Sequence, residues 1–244
     1  MIGFNNRVTD AELRASPLCA NAMKLLIYVD ENGGIQLTKA QAFNRKFVHW
    51  AAAAFNWPGH TADELYRINK VLNEDDFLPL MVMHDLLRIA KVGRHFNGEF
   101  VLTPKGRQLI GDRALLQGTL FEALLYDYNL QNLDRMPGGS RPDWEILLGV
   151  MDTELRDWMT IGQMLNVFYG MEIEKADYRS SEYQVAIWFS SRVVRPLKWL
   201  GLIESVRGVR GRKIYEIEIR KTPLWSNWLR FDHYQRSNVS TTIH

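Results

Sequence analysis

A chain of 244 residues, 46% apolar and 24% charged, holds enough material for one large globular domain or two small ones, each with its own core. Its single cysteine, Cys19, excludes an internal disulfide and a cysteine-rich metal site, and points to a reducing, cytoplasmic setting. The net charge of +2 conceals a sharp asymmetry: Asp134 to Asp177 holds 9 acidic and 4 basic residues, whereas Arg179 to Lys221 holds 10 basic and 4 acidic. Local fields of that kind steer polyanions more than net charge does. No apolar run follows the first residues and none reaches ~18 residues, so neither a signal peptide nor a membrane span is expected.

The first helix is signalled by Ser16 as cap, Pro17 in the first turn and Gly33-Gly34 as terminator. Between them Leu18, Ala22, Leu25, Leu26 and Val29 form one apolar stripe at helical spacing. Ile35-Gln36-Leu37 is a short strand candidate, and Thr38 is predicted to cap a helix from Lys39. Alanine-rich helix is expected from Phe43 to Phe55, broken by Trp57-Pro58-Gly59. A further helix spans Phe77 to Ala90, with His84, Asp85 and Arg88 outside its apolar face. Asn97-Gly98 between two short runs then predicts a hairpin, Thr103-Pro104 closes it, and Arg113 to Tyr128 continues as helix.

Met136 to Pro142 is rich in breakers and lacks apolar periodicity, so it is taken as a linker. After it the order repeats. A helix runs from Pro142 to about Leu155, Thr160 caps a short one from Ile161 to Tyr169, and a long helical segment covers Ser181 to Leu200. A second hairpin follows, its turn Arg207-Gly208-Val209-Arg210-Gly211-Arg212-Lys213, and Thr222-Pro223 closes it. Thr38 and Thr160 lie 122 residues apart, Thr103 and Thr222 119 apart, as a duplicated unit requires. The boundaries that follow are a first unit at 1–130 with a helical insertion, chiefly Asn44 to Asp76, a linker at 131–142, a second unit with the basic wing at 143–232 and a flexible tail at 233–244.

Two segments carry a resemblance: LLRIAKVGRHFNGEFVLTPKGRQLI and LKWLGLIESVRGVRGRKIYEIEIRKTP. Each is a helix running into a hairpin with a Thr-Pro exit, and both resemble the winged-helix version of helix-turn-helix. The fold class this implies is mainly α with small β-hairpins, in two tandem winged-helix-like units. In such a unit the long helix enters the major groove of double-stranded DNA and the wing touches the backbone. Ala186, Phe189 or Ser190, Val193, Leu197 and Leu200 are predicted to face the core. The other side would then present Gln184, Trp188, Ser191, Arg192, Arg195 and Lys198, with Arg192 as the base reader. Arg207, Arg210, Arg212 and Lys213 would meet phosphates, although the same cations also suit a solvated turn.

The first unit is a poor reader, because its turn lacks cations and Glu74, Asp75 and Asp76 stand just upstream. It is expected to set a homodimer or to recruit a partner protein. The expected function is therefore non-catalytic DNA binding by a regulator or replication-initiator-like protein of microbial or mobile-element type. The alternative is an adaptor or inhibitor that docks on a protein. The histidines at 49, 60, 84, 95, 233 and 244 show no metal-site spacing, and no phosphate-cradling loop occurs, so no catalytic residue, metal or cofactor is called for. Trp225 and Trp228 are assigned to a short closing helix.

Overall fold

The computed structural model describes residues 2–5, 8–134, 139–173, 177–206 and 213–231. The first part of the chain forms β1 (Ile2–Phe4), α1 (Asp10–Leu13), α2 (Pro17–Asn32), β2 (Ile35–Gln36), α3 (Arg45–Ala54), α4 (Ala62–Ile68) and α5 (Leu78–Ile89). It continues through β3 (Gly93–Phe96), β4 (Glu99–Leu102), α6 (Pro104–Gln108) and α7 (Arg113–Glu122). The second part forms α8 (Trp144–Glu154), β5 (Met159–Thr160), α9 (Ile161–Tyr169), α10 (Ser181–Phe189), α11 (Arg195–Trp199), β6 (Ile203–Ser205), β7 (Glu218–Lys221), α12 (Pro223–Trp228) and β8 (Leu229–Phe231). The architecture is a mixed one of helices with small antiparallel sheets.

Local chemistry sets most helix starts. The Ser16 side chain accepts from the Cys19 N–H at 3.2 Å, and Gly33 ends α2 in the left-handed region. Thr160 and Gln163 cap α9 reciprocally, each side chain accepting from the other's backbone N–H. One predicted cap fails. Thr38 caps no helix: its hydroxyl accepts from the Ala42 N–H in a turn, and α3 starts later, at Arg45, under an Asn44 cap. Predicted helix also ends early at Glu122, where the chain passes into a π-helical turn over Ala123–Asp127.

Each half pairs a short strand ahead of its hairpin with the hairpin's far arm, in the order β2-β4-β3 in one and β5-β7-β6 in the other. The β3–β4 turn is at Asn97-Gly98, with both residues at positive φ, 49° and 79°, as a tight two-residue hairpin demands. The Thr-Pro exits donate the same hydrogen bonds back to their hairpins, and only Thr103 also caps the next helix, accepting from the Gly106 N–H at 3.1 Å. The Thr103 N–H donates to Val92 O at 3.0 Å and its hydroxyl to Lys91 O and Val92 O. The Thr222 N–H donates to Leu202 O, also at 3.0 Å, and its hydroxyl to Gly201 O and Leu202 O.

The halves share one continuous core. Gln117 Nε2 donates to Leu200 O at 2.8 Å, the Ser16 hydroxyl donates to Trp199 O, and Trp57 meets Trp199 edge to face at 5.6 Å. Gly201 lies so close that a Cβ there would stand 2.7 Å from Ser16 Cα. A side chain at that position forces the halves apart. The two ends of the described chain close the seam, since β1 pairs antiparallel with β8 from Ile2↔Phe231 to Phe4↔Leu229. Phe4 stacks on Trp228 at 4.5 Å and meets Phe121 at its edge. Trp225 and Trp228 sit on α12, both buried.

Candidate nucleic-acid interface

Three elements of the second half converge on Tyr215, which lies in a 3-10 turn over Ile214–Glu216 just before β7. Its ring meets that of Tyr183 on α10 edge to face at 6.2 Å, and it is 4% exposed. Gly162 on α9 permits this approach, because a Cβ there would lie 3.3 Å from the Tyr215 carbonyl and 2.8 Å from Ile173 Cγ2. The base of the second hairpin is thereby seated against α9 and the N-terminal half of α10.

That half of α10 is tied down locally. The Ser180 side chain accepts from the Tyr183 N–H at 3.1 Å, and Gln184 Nε2 donates to Tyr178 O at 2.9 Å. Tyr178 is exposed, with the Arg179 guanidinium 5.1 Å from its ring centre. Lys213 is fully exposed, 5.4 Å from the Tyr215 ring; its pKa is raised first by a side-chain hydrogen bond to Tyr215. It stays cationic. Arg207, Arg210 and Arg212 lie outside the described residues. Behind the hairpin, Arg220 stacks 4.5 Å from Trp158 and pairs with Glu204 at 2.6 Å.

The C-terminal half of the same helical segment corrects the sequence reading. Arg192, the expected base reader, is 2% exposed and bonded to Asp134 through both ends of its guanidinium: Nε to Oδ2 at 2.8 Å and Nη2 to Oδ1 at 3.0 Å. Ser191 is buried too. Arg195 is half-buried, donates to the Leu133 carbonyl and has its pKa lowered by desolvation. Trp188 is half-buried against Gly139 and packs on the core. Gln184 is half-buried, while Lys198 is exposed and donates to Ser205 Oγ at 2.6 Å.

The cause is a π-helical turn over Ser190–Val194, placed between α10 and the Pro196 of α11. Proline lacks the N–H that would continue the α-helical ladder, and the wider turn absorbs the mismatch. The extra residue turns the helix face, so Ser191, Arg192, Val193 and Val194 are buried in succession. The 3-10 turn Leu130–Leu133 then covers that face and delivers Asp134 to Arg192. In the described part of the predicted 131–142 linker, residues 131–133 belong to that 3-10 turn and the exposed Arg141 donates to the carbonyls of Tyr126 and Tyr128.

In the first unit His84 faces inward, against expectation, at 5% exposure. Glu74, counted among the acids that would repel a phosphate backbone, is buried with it. Among the described residues no cluster of three or more potential ligands is arranged for a metal, and no helix is long and apolar enough to cross a membrane. Sequence reasoning missed Tyr183, Tyr215 and the Arg192–Asp134 pair. Gly162 within the short α9 was the available sign of a close backbone approach there.

A two-part protein emerges, each part a helical unit with a three-stranded antiparallel sheet, the parts fused through one core. Residues 14–115 match the Y4jL N-terminal domain and residues 135–223 the y4jL C-terminal domain. The chain is 34% identical over 158 residues to "Uncharacterized protein y4jL" of Sinorhizobium fredii (strain NBRC 101917 / NGR234), an alignment covering 64% of this chain and 72% of that one. The chain belongs to the y4jL family. No solved structure matches it. Residues 116–134, which cover Arg192, fall between the two matched ranges.

Proposed function

We propose that this protein binds double-stranded DNA without catalysis, through a winged-helix arrangement in its second half, as a regulator or replication-initiator-like factor. One observation carries the reading. The base of the β6–β7 hairpin is packed beside the N-terminal half of α10, through Tyr215 and Tyr183. Helix in the groove and wing on the backbone is the docking geometry such a pairing serves. The surface for it is smaller than the helix alone suggests: Arg179, Ser181, Gln184 and Lys213, together with Arg207, Arg210 and Arg212 of the hairpin. Arg192 and Arg195 have no part in it, because both are engaged with the 130–134 segment.

The test is fluorescence anisotropy with a generic duplex at several salt concentrations. Affinity should fall with a log–log slope of about −0.9 per neutralised phosphate, and R207A/R210A/R212A should flatten it by about one unit for each phosphate that is no longer neutralised. No measurable binding at low salt overturns the reading. The second reading, docking on a protein, is favoured by Phe96, which is 51% exposed beside a hairpin turn and has the Arg94 guanidinium over its ring. Capture of a protein by the wild type and its loss in Phe96→Ser, with duplex binding absent, would establish that reading instead.

A further inference from the structure

We propose that Glu74, His84 and His95 form a proton-gated latch that fastens the β3–β4 hairpin to α5 near neutral pH and releases it in acid. The three side chains make a chain of hydrogen bonds running from the interior outward. Glu74 Oε2 accepts from the Phe43 N–H at 2.6 Å, and Glu74 Oε1 accepts from His84 Nδ1 at 2.7 Å. His84 Nε2 and His95 Nε2 face each other at 2.8 Å. Glu74 and His84 are buried at 3% and 5% exposure, and His95 on β3 forms the half-exposed outer end.

Counting hydrogens gives the gate. Glu74 accepts through both oxygens, so the hydrogen of the inner bond sits on His84 Nδ1. The 2.8 Å gap between the two Nε2 atoms then holds one hydrogen, from either ring. The pair is satisfied when neutral and when it carries one extra proton, which Glu74 faces. A second extra proton places two N–H groups in that gap and two cations at a ring separation of 5.0 Å. The bond must then open. Phe43 stacks on His84 at 3.8 Å and Phe100 meets it edge-on at 5.2 Å, so His84 is walled by rings that offer no replacement acceptor.

Neighbouring charges favour the same direction. Arg88, on α5, disfavours a charged His95, whose pKa is lowered first by burial and then by His84 and Arg88. Asp85 pairs with Arg88 at 3.9 Å, Arg94 stacks on Phe96, and Asp76 accepts from the Asn73 N–H. On the β4 side His95 is paired with apolar Phe100, while Glu99 is opposite Phe96. A histidine whose folded pKa lies below its unfolded value of about 6.5 stabilises the fold fully above 6.5. That contribution is lost as pH falls through the folded value. The hairpin that would be released bears Phe96, so acid changes the exposed face of the first unit.

Thermal unfolding of the whole protein at pH 7.5 and 5.5, for wild type and His95→Gln, tests this. A glutamine amide reaches the position of Nε2 and donates to His84 without titrating. The wild type should lose about 2–4 °C more in Tm across that interval than H95Q does. Imidazole 15N–1H correlation spectra of the wild type give a second readout, in which His95 should titrate below the ordinary histidine range and its protonation should move the His84 ring signals. Equal loss of Tm in both proteins, or a His95 that titrates in the ordinary range with no response at the His84 ring, overturns the latch. If H95Q does not fold, the wild-type spectra decide alone.

Discussion

A long helical segment in each half, α5 in the first and α10 to α11 in the second, hides one ionisable side chain that its sequence places on the outside, and the two are held in opposite ways. In the first half His84 of α5 is held by Glu74, a residue of the same unit's insertion, and by His95 of its own hairpin. In the second half Arg192 is held by Asp134, which comes from the segment joining the two matched domains. A guanidinium keeps its charge across the range in which histidines titrate, so the second pairing is fixed there. The first ends on His95, a titrating imidazole, and is conditional. The contrast separates a fixed junction, which sets how the halves sit together, from an adjustable hairpin within one of them.

Removing Asp134 should break the fixed junction hardest. Asp134→Ala leaves a buried, unpaired guanidinium and should cost about 3–5 kcal/mol in denaturant unfolding. Adding Arg192→Met should recover most of it, since no charge is then left buried. An uncorrected double variant would show that Asp134 acts through something besides Arg192. The repeated Thr-Pro exit predicts smaller and unequal effects. Thr222→Val should cost about 1 kcal/mol, the worth of one hydroxyl hydrogen bond, Thr103→Val about 1 kcal/mol more because it also removes the cap on the Gly106 N–H, and the two should add.

R207A/R210A/R212A should leave stability within about 0.5 kcal/mol while changing the salt dependence of duplex binding. A stability loss of several kcal/mol there would mean that the hairpin arginines hold the fold. The smallest effect is an expected lack of reaction. Burial pushes the Cys19 thiol up to about 12, so a disulfide reagent at pH 8 should label it only after unfolding. Rapid labelling of the folded protein would show that α2 separates from its packing partners.

Residue types that act within one turn of chain declared themselves. Ser16 and Thr160 each satisfy an N–H three residues ahead, and Asn97-Gly98 adopts the positive φ pair of a tight turn. Thr38 carried the same signal and did not cap, because β2 and the Leu37↔Phe43 bridge hold the chain in a turn there. The apolar stripe of the Ser181 to Leu200 segment was also legible, with Ala186, Phe189, Val193, Leu197 and Leu200 all buried. Its outer face was not. Assigning Arg192 and Arg195 to the surface assumed an unbroken 3.6-residue period, and one π-helical turn ahead of Pro196 ended that period.

By itself the sequence determined the order of helices and hairpins, the caps that start most of them and the inward stripes, because these depend on groups a few residues apart. Tertiary structure alone decided which charged side chains are interior. Asp134 reaches Arg192 across 58 residues and Glu74 reaches His84 from a preceding insertion. The free energy of a charge depends on what surrounds it in space, and neighbours along the chain do not specify that environment.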